Sequence, residues 1–479
     1  MLPILLDRIT MGLSLAVHII LASIGIGLPI IMSIMEFIGI RRKDPHYTLF
    51  ARRMTPVLII LFAIGTASGT IVALELFLLW PTFIQLMSQV AILPLYVEVF
   101  AFFSEAIFLG IYAYSWNKKL GKYTHWLMSV IISAGAMASG VLIIMLNSFM
   151  NTPSGFNIPN YLSTGVLSDI NPLAAFSTAS MPLTEIHALS ASVFAAVFVL
   201  LGYFVWRMSK SSGESREYYK KAVKVMLAVV MVAVVILIIS GILNMQMLLQ
   251  NQPEKYAAIE GNYASQSNAP EIIGGIPVMN ANGSFYFAYS IAIPGLQSLL
   301  AGGSTGYTVP GLSAYNQSTW PPLIVHPMFD FMFFIGIGIG LFLLLILVLL
   351  ALKWRAVKTF VSKLRNGLIK EKLQWLSSVD PLMNRKFIIL IIIASIFAVI
   401  LLEDGWVMSE LARQPWIIYN VMTVAQAGNP SNSILPVLVA LIAFYIVILP
   451  LTVLILRKFA PHDSLQKDLA EIGRKKKGY

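Results

Sequence analysis

Cysteine is absent from this 479-residue chain. That excludes disulfides, thiolate-held iron–sulfur clusters and Cys-ligated haem, and leaves histidine-ligated cofactors open. Charge is scarce as well. Only 11% of residues are charged, against roughly 25% in soluble domains, and 58% are hydrophobic. The scarcity is uneven. Nine apolar stretches lie near 10–38, 54–82, 92–116, 125–149, 184–206, 224–248, 323–352, 387–410 and 434–456. Each reaches the ~20 residues that a hydrocarbon core of ~30 Å requires. Every second gap between them is almost bare of Lys and Arg.

What is present sorts by side. Thirty of the 33 basic residues fall in the remaining gaps: five between the first two stretches, three after the third, six between the fifth and sixth, nine between the seventh and eighth, and seven after the ninth. Cytoplasmic loops collect Lys and Arg. The pattern predicts an all-α polytopic membrane protein with nine transmembrane helices, its N-terminus outside and its C-terminus cytoplasmic. The net charge of +11 reads as topology plus attraction to the anionic lipid bilayer, not as nucleic-acid binding. The first apolar run is too long for a signal-peptide core and reads as a retained span. Three cations stay unexplained by topology: Arg8, Lys255 and Arg413.

The spacing predicts one membrane domain over 1–479. An outer loop at 150–183 has no Lys or Arg, and an outer loop at 249–322 is polar and expected to be irregular apart from a helical segment near Pro253–Glu260. An inner loop at 353–386 is basic and partly amphipathic, and the Arg474–Lys477 tail is expected at the lipid surface. No period of 20–50 residues and no inverted repeat is evident.

Ionisable groups at membrane depth are costly and usually functional. His18 falls two to three turns below the outer surface, Glu98 and Glu105 in the outer half of the third span, His187 at the outer mouth of the fifth, Met332 in the outer part of the seventh and Glu410 at the outer end of the eighth. All share one leaflet, as cofactors stacked near the outer face would require. A lone span histidine is otherwise polar packing or a proton relay. His187 and Met332 suit a His/Met-ligated electron-transfer haem, with Met328 and His326 as rival ligands. Glu98 and Glu105, seven apart, share a helix face and suit proton transfer, or simply two satisfied polar contacts. Glu410 lies one turn from Trp406 and Arg413, so the three can converge on one ligand. Lys255 and Glu260 read from spacing alone as a solvated loop pair, or as two walls of a cleft.

The segment Gly405–Trp416, GWVMSELARQPW, resembles the Gly-Arg-Gln-Pro-Trp signature of cytochrome bd quinol oxidase subunit I, with Ala412 in place of the usual Gly. QPEKYAAIEG (Gln252–Gly261) resembles that family's quinol-loop motif, and His125-Trp126-Leu127 followed by Asn147–Phe156 is similar to a third family stretch. The resemblance implies that His18 and Glu410 are axial ligands of two high-spin haems, with Glu98 at the oxygen-reducing one. It implies that His187 and Met332 hold a low-spin haem b, for a total of two haem b plus a third haem, d or b. Lys255 and Glu260 would bind and deprotonate membrane quinol, Arg8 and Arg413 would meet haem propionates, and Trp406 would lie between haems. Glu105, with Ser139, would belong to a proton path from the cytoplasm. The Met332 region lacks the Arg often found there and looks more like the cyanide-insensitive branch.

The expected function is therefore a terminal respiratory oxidase subunit in a prokaryotic plasma membrane. It would oxidise quinol and reduce O2 to water without pumping protons, beside a second membrane subunit. The alternatives are a secondary transporter, or a haem-poor paralogue acting as a structural partner.

Overall fold

The computed structural model describes residues 2–116, 118, 120–353, 359, 361–362, 367–429, 434–459 and 465–471. Among them, nine helices are long and apolar enough to cross a membrane. They run Leu2–Arg42, Pro45–Leu79, Leu93–Ser115, Lys122–Asn151, Met181–Ser209, Gly213–Asn251, Val325–Ala351, Arg385–Leu411 and Leu435–Phe459, here spans one to nine. Each matches one apolar stretch, but span two ends earlier than hydropathy suggests. Trp80 leaves helical geometry (φ −126°, ψ 53°) because Pro81 follows it, and Pro81–Val90 forms a separate helix. Local chemistry also sets where spans begin. The Asp44 side chain accepts from His46 N, with Pro45 at the first helical position, and the Asn384 side chain accepts from Lys386 N at the start of span eight.

Consecutive spans pair as hairpins, one with two, three with four and five with six. Span eight lies against five and seven, and span nine against one and two. The largest apolar core joins Leu28, Ile31 and Met35 of span one to Phe50 and Leu58 of span two, Phe198 and Phe204 of span five, and Tyr218 and Met226 of span six. These residues fill the halves of the spans that adjoin the Lys/Arg-rich gaps. His18, Glu98, His187 and Glu410 sit in the other half. Ion pairs close the basic end, with Lys221 Nζ 2.5 Å from Asp44 Oδ2, Lys353 Nζ 3.2 Å from Asp380 Oδ2, and Arg53 bound to Asp468.

The 249–322 loop is more regular than its polar composition suggests. After the helix Pro253–Ile259 come Glu271–Ile273 (β1), Ile276–Met279 (β2), Phe285–Ala288 (β3) and Ile291–Ile293 (β4), then the helix Leu296–Gly302. β2 pairs antiparallel with β3, Ile276 opposite Ala288, and β1 with β4, Ile273 opposite Ile291. The result is one long hairpin broken at Gly274–Gly275, whose φ values of 69° and 102° suit glycine. Alternating apolar residues around the turn at 280–284 carry this signal, which overall polarity hides. In the 353–386 loop, Gly367–Ser378 is helical. Residues 354–358, 360 and 363–366 of that loop, and the Arg474–Lys477 tail, lie outside the described residues.

Candidate functional site

Two histidines occupy matching seats. His18 of span one faces Ser68-Gly69 of span two, and His187 of span five faces Ser240-Gly241 of span six. In each seat the serine Oγ lies 2.9 Å from the histidine Nδ1. The serine's own proton goes to a backbone carbonyl, Gly65 O at 2.9 Å and Leu237 O at 3.3 Å. With that proton committed, the hydroxyl accepts from Nδ1–H, and Nε2 keeps the lone pair that a metal ligand needs. The adjoining glycine makes room for the ring. A Cβ on Gly69 would stand 2.9 Å from His18 Cε1, and one on Gly241 would stand 3.5 Å from His187 Cε1.

Met332 packs across spans seven and eight. A Cβ on Gly405 would come within 2.9 Å of its Sδ, so the thioether fills a glycine notch one residue before the half-buried Trp406. Met328 packs with an apolar cluster that includes Tyr256, Phe285, Phe287 and Met408, whereas Met332 reaches both that cluster and the main core. His326 is held elsewhere. Its Nδ1 lies 2.8 Å from Ile259 O and its Nε2 3.5 Å from Asp330 Oδ2.

A continuous chain of hydrogen bonds joins the loop to Glu410. Lys255 Nζ donates to Asn151 Oδ1 at 3.1 Å and to Ser409 O at 3.0 Å. Asn151 Nδ2 donates to Asn147 Oδ1 at 2.9 Å, and Asn147 Nδ2 donates to Glu410 Oε1 at 2.6 Å. Arg413 Nη2 donates to Glu410 Oε2. Lys255 is 4% exposed and Arg413 3%. Burial, with the neighbouring Arg413 guanidinium adding to it against the pull of Glu410, lowers the Lys255 ammonium pKa to about 7. Two of the three cations unexplained by topology thus converge. Arg8 lies exposed at the start of span one.

Glu260 is 9% exposed, so the solvated-pair reading of Lys255 and Glu260 does not hold. The two side chains serve different clusters, as their five-residue spacing on a short helix requires. Burial, then the carboxylates of Glu271 and Asp330, push the Glu260 pKa well above the usual carboxylate range. Burial and Asp330 raise Glu271 to about 7. Asp330 accepts a hydrogen bond from Gly274 N, at the break in the hairpin. On span three Glu105 is buried against Gly135 of span four, where a Cβ would lie 3.3 Å from Glu105 Cβ. Ser139, expected with Glu105 on a proton path, donates to Glu98 Oε1 at 2.5 Å.

Sequence reading passed over several of these groups. The two Ser-Gly pairs look like ordinary packing residues, and Asn147 and Asn151 carried only a family resemblance. The i,i+4 spacing of the two amides on one helix face was the available signal. Glu271 was hidden by taking the loop as irregular, and Asp330 of span seven because its loop partner, Gly274, is 56 positions away.

Residues 6–464 match the family model described as cytochrome bd terminal oxidase subunit I. The chain belongs to the cytochrome bd oxidase subunit I family. A cytochrome bd ubiquinol oxidase subunit 1 of Bacillus subtilis (strain 168) is 26% identical, with 96% of this chain and 95% of that one covered. A second B. subtilis chain, named as a candidate cytochrome bd menaquinol oxidase subunit I, is 30% identical with 90% of each covered. The structure of bd oxidase from Geobacillus thermodenitrificans superposes with a TM-score of 0.80 at 34% identity, covering 95% of this chain and 98% of that one. This oxidase subunit is therefore a multi-pass membrane protein of the quinol:O2 oxidoreductase class, in a haem-containing family. Its residues fit such a group. Both seated histidines present Nε2, and the buried Arg413 has Nε and Nη1 without hydrogen-bond partners, as a guanidinium meeting a propionate would.

Proposed function

We propose that this subunit oxidises membrane quinol at the Lys255–Glu260 helix and reduces O2 to water, with protons drawn from the Lys/Arg-rich, cytoplasmic side. The observation that carries this reading is the unbroken hydrogen-bond chain from Lys255 through Asn151 and Asn147 to Glu410. It couples the loop to the site region without a surface step. His187 and Met332 would hold a low-spin haem b, and His18 and Glu410 two high-spin haems, the third of d or b type. When bound, those haems supply one-electron transfer and the oxygen-reducing centre.

The chain's own residues do the rest. Lys255 orients the quinol oxygen, and Glu260, held basic by burial and by two neighbouring carboxylates, takes the quinol proton. Arg413 fixes Glu410 and offers its remaining N–H groups to a propionate, and Arg8 would meet another. Trp406, beside the Met332 notch, would stand between haems. Glu98, bonded to Ser139, would sit at the oxygen-reducing haem. Glu105 would pass protons towards it, so that charge crosses the membrane without a pump. Each charge crossing 100 mV stores about 2.3 kcal/mol. A second membrane subunit and a prokaryotic plasma membrane complete the proposal. The serine-seated histidines and the half-satisfied Arg413 weigh against a haem-poor structural partner, and the family membership weighs against a transporter.

The test is Glu260→Ala in the assembled oxidase. Quinol oxidation should be lost while the reduced-minus-oxidised spectrum stays native. Unchanged turnover would remove the quinol-site assignment.

A further inference from the structure

A second polar cluster lies at the Lys/Arg-rich ends of spans one, three and four, and nothing above gives it a task. Glu36 is 2% exposed. Tyr112 Oη donates to Glu36 Oε2 at 2.7 Å, and His125 Nδ1 lies 2.5 Å from Glu36 Oε1. The His125 ring is clasped by Tyr112 and Trp116, with ring centroids 4.4 and 4.2 Å away. Trp116 is itself fixed by donating Nε1 to Thr55 Oγ1 at 3.0 Å. His125 is buried, yet its Nε2 has no hydrogen-bond partner. The cluster belongs to a cleft of about 350 Å³, whose buried floor is Glu36 and His125 and whose exposed rim is Lys43, Lys118 and Lys122.

The cluster is also the foot of a ladder. Tyr112, Glu105 and Glu98 are spaced by seven on span three and so share a face, each step rising about 10 Å. Span four meets each rung: His125 stacks on Tyr112, Gly135 admits Glu105, and Ser139 bonds Glu98. A carboxylate and an imidazole buried together at the end of such a face, with one ring nitrogen left open, are equipped to exchange protons with water in the cleft.

We propose that Glu36, His125 and Tyr112 form the port through which protons enter the pair of spans three and four on the way to Glu105. The proposal rests on the reading of Glu105 as a proton-path residue. His125 takes a proton from water at Nε2 and releases the one at Nδ1 to Glu36. The Tyr112 hydroxyl, which donates to Glu36 Oε2 at rest, turns to accept from the protonated Glu36, and its own proton leaves through intervening water towards Glu105. Water then takes the proton from Nε2 and supplies one to Nδ1, an exchange that restores the starting tautomer. Only N–H and O–H bonds change, and no electrons move.

The test uses the complete oxidase in liposomes with a pH dye, comparing Glu36→Gln, His125→Gln, Tyr112→Phe and Glu105→Gln. After an oxygen pulse, proton uptake should slow by about a hundredfold in Glu36→Gln and His125→Gln. The quinol KM and the haem spectra should stay native. Native uptake in both, with slowed uptake in Glu105→Gln, overturns the port and leaves the path through Glu105 standing. Native uptake in Glu105→Gln overturns both. Because the natural chain has no cysteine, His125→Cys gives an independent reading in oriented vesicles. A membrane-impermeant thiol reagent should label this chain from the face bearing Lys118 and Lys122. Failure to label from that face overturns the port whether or not the acidic-site variants assemble.

Discussion

Replacing Ser240 by Ala removes one oxygen, and its consequence can be worked from the seat of His187. Ser240 Oγ spends its proton on Leu237 O at 3.3 Å, so it is the acceptor for Nδ1–H at 2.9 Å. Ser240 is 2% exposed, and water cannot readily replace it. An unsatisfied buried N–H costs about 1–3 kcal/mol. The imidazole also loses the contact that fixes its tautomer and ring angle, and the loss of such a supporting partner typically costs roughly 10–100-fold in ligand affinity. At about 1.4 kcal/mol per tenfold, the two figures agree. With His187 as the proposed ligand of the low-spin haem, Ser240→Ala should therefore lower that haem's content or shift its potential, and leave the other haem signals in place. Ser68→Ala should act on a different haem through His18, and Ser240→Thr should restore the native signal. Pigment extraction, difference spectra and a potentiometric titration read these outcomes directly. Native haem content with unchanged potentials in Ser240→Ala would refute the inference that the hydroxyl orients the ligand.

Further outcomes follow from the same geometry. A Cβ on Gly69 would meet His18 Cε1 at 2.9 Å, so Gly69→Ala should displace the imidazole and deplete the haem proposed for it, read as haem per protein; full occupancy would show that the ring has room to move. Lys255 has a folded-state pKa lowered to about 7 from 10.5, so the unfolded chain binds more protons between those values. The cost of holding this cation buried is full below about pH 7 and is relieved as pH rises towards 10.5. Melting temperature should therefore climb with pH across that window more in the native chain than in Lys255→Met, and parallel curves would contradict the burial argument. Glu271→Gln removes a negative neighbour of Glu260 and should lower the Glu260 pKa. The acid limb of the quinol-oxidation profile should move to lower pH, and an unmoved limb would take Glu260 out of that titration.

Hydropathy and the distribution of Lys and Arg were enough to place all nine spans, because a bilayer imposes the same ~30 Å apolar length on every helix that crosses it. They also isolated Lys255 and Arg413 as cations with no topological reason, and both prove to be buried in one network. His18, His187 and Glu410 stood out because an ionisable side chain at membrane depth is rare. What pairs with what was decided by tertiary structure. Asn147 meets a carboxylate 263 positions away, and Ser240 meets a histidine 53 positions before it. Neither residue type is unusual inside an apolar helix, so local pattern carries no mark of the partner. Glu260 likewise looked solvated until the Glu271–Ile293 hairpin and span seven closed over it, and its chemistry follows from that burial. Periodicity and charge are properties of one helix at a time, whereas a ligand seat needs two helices in a definite rotation about their axes.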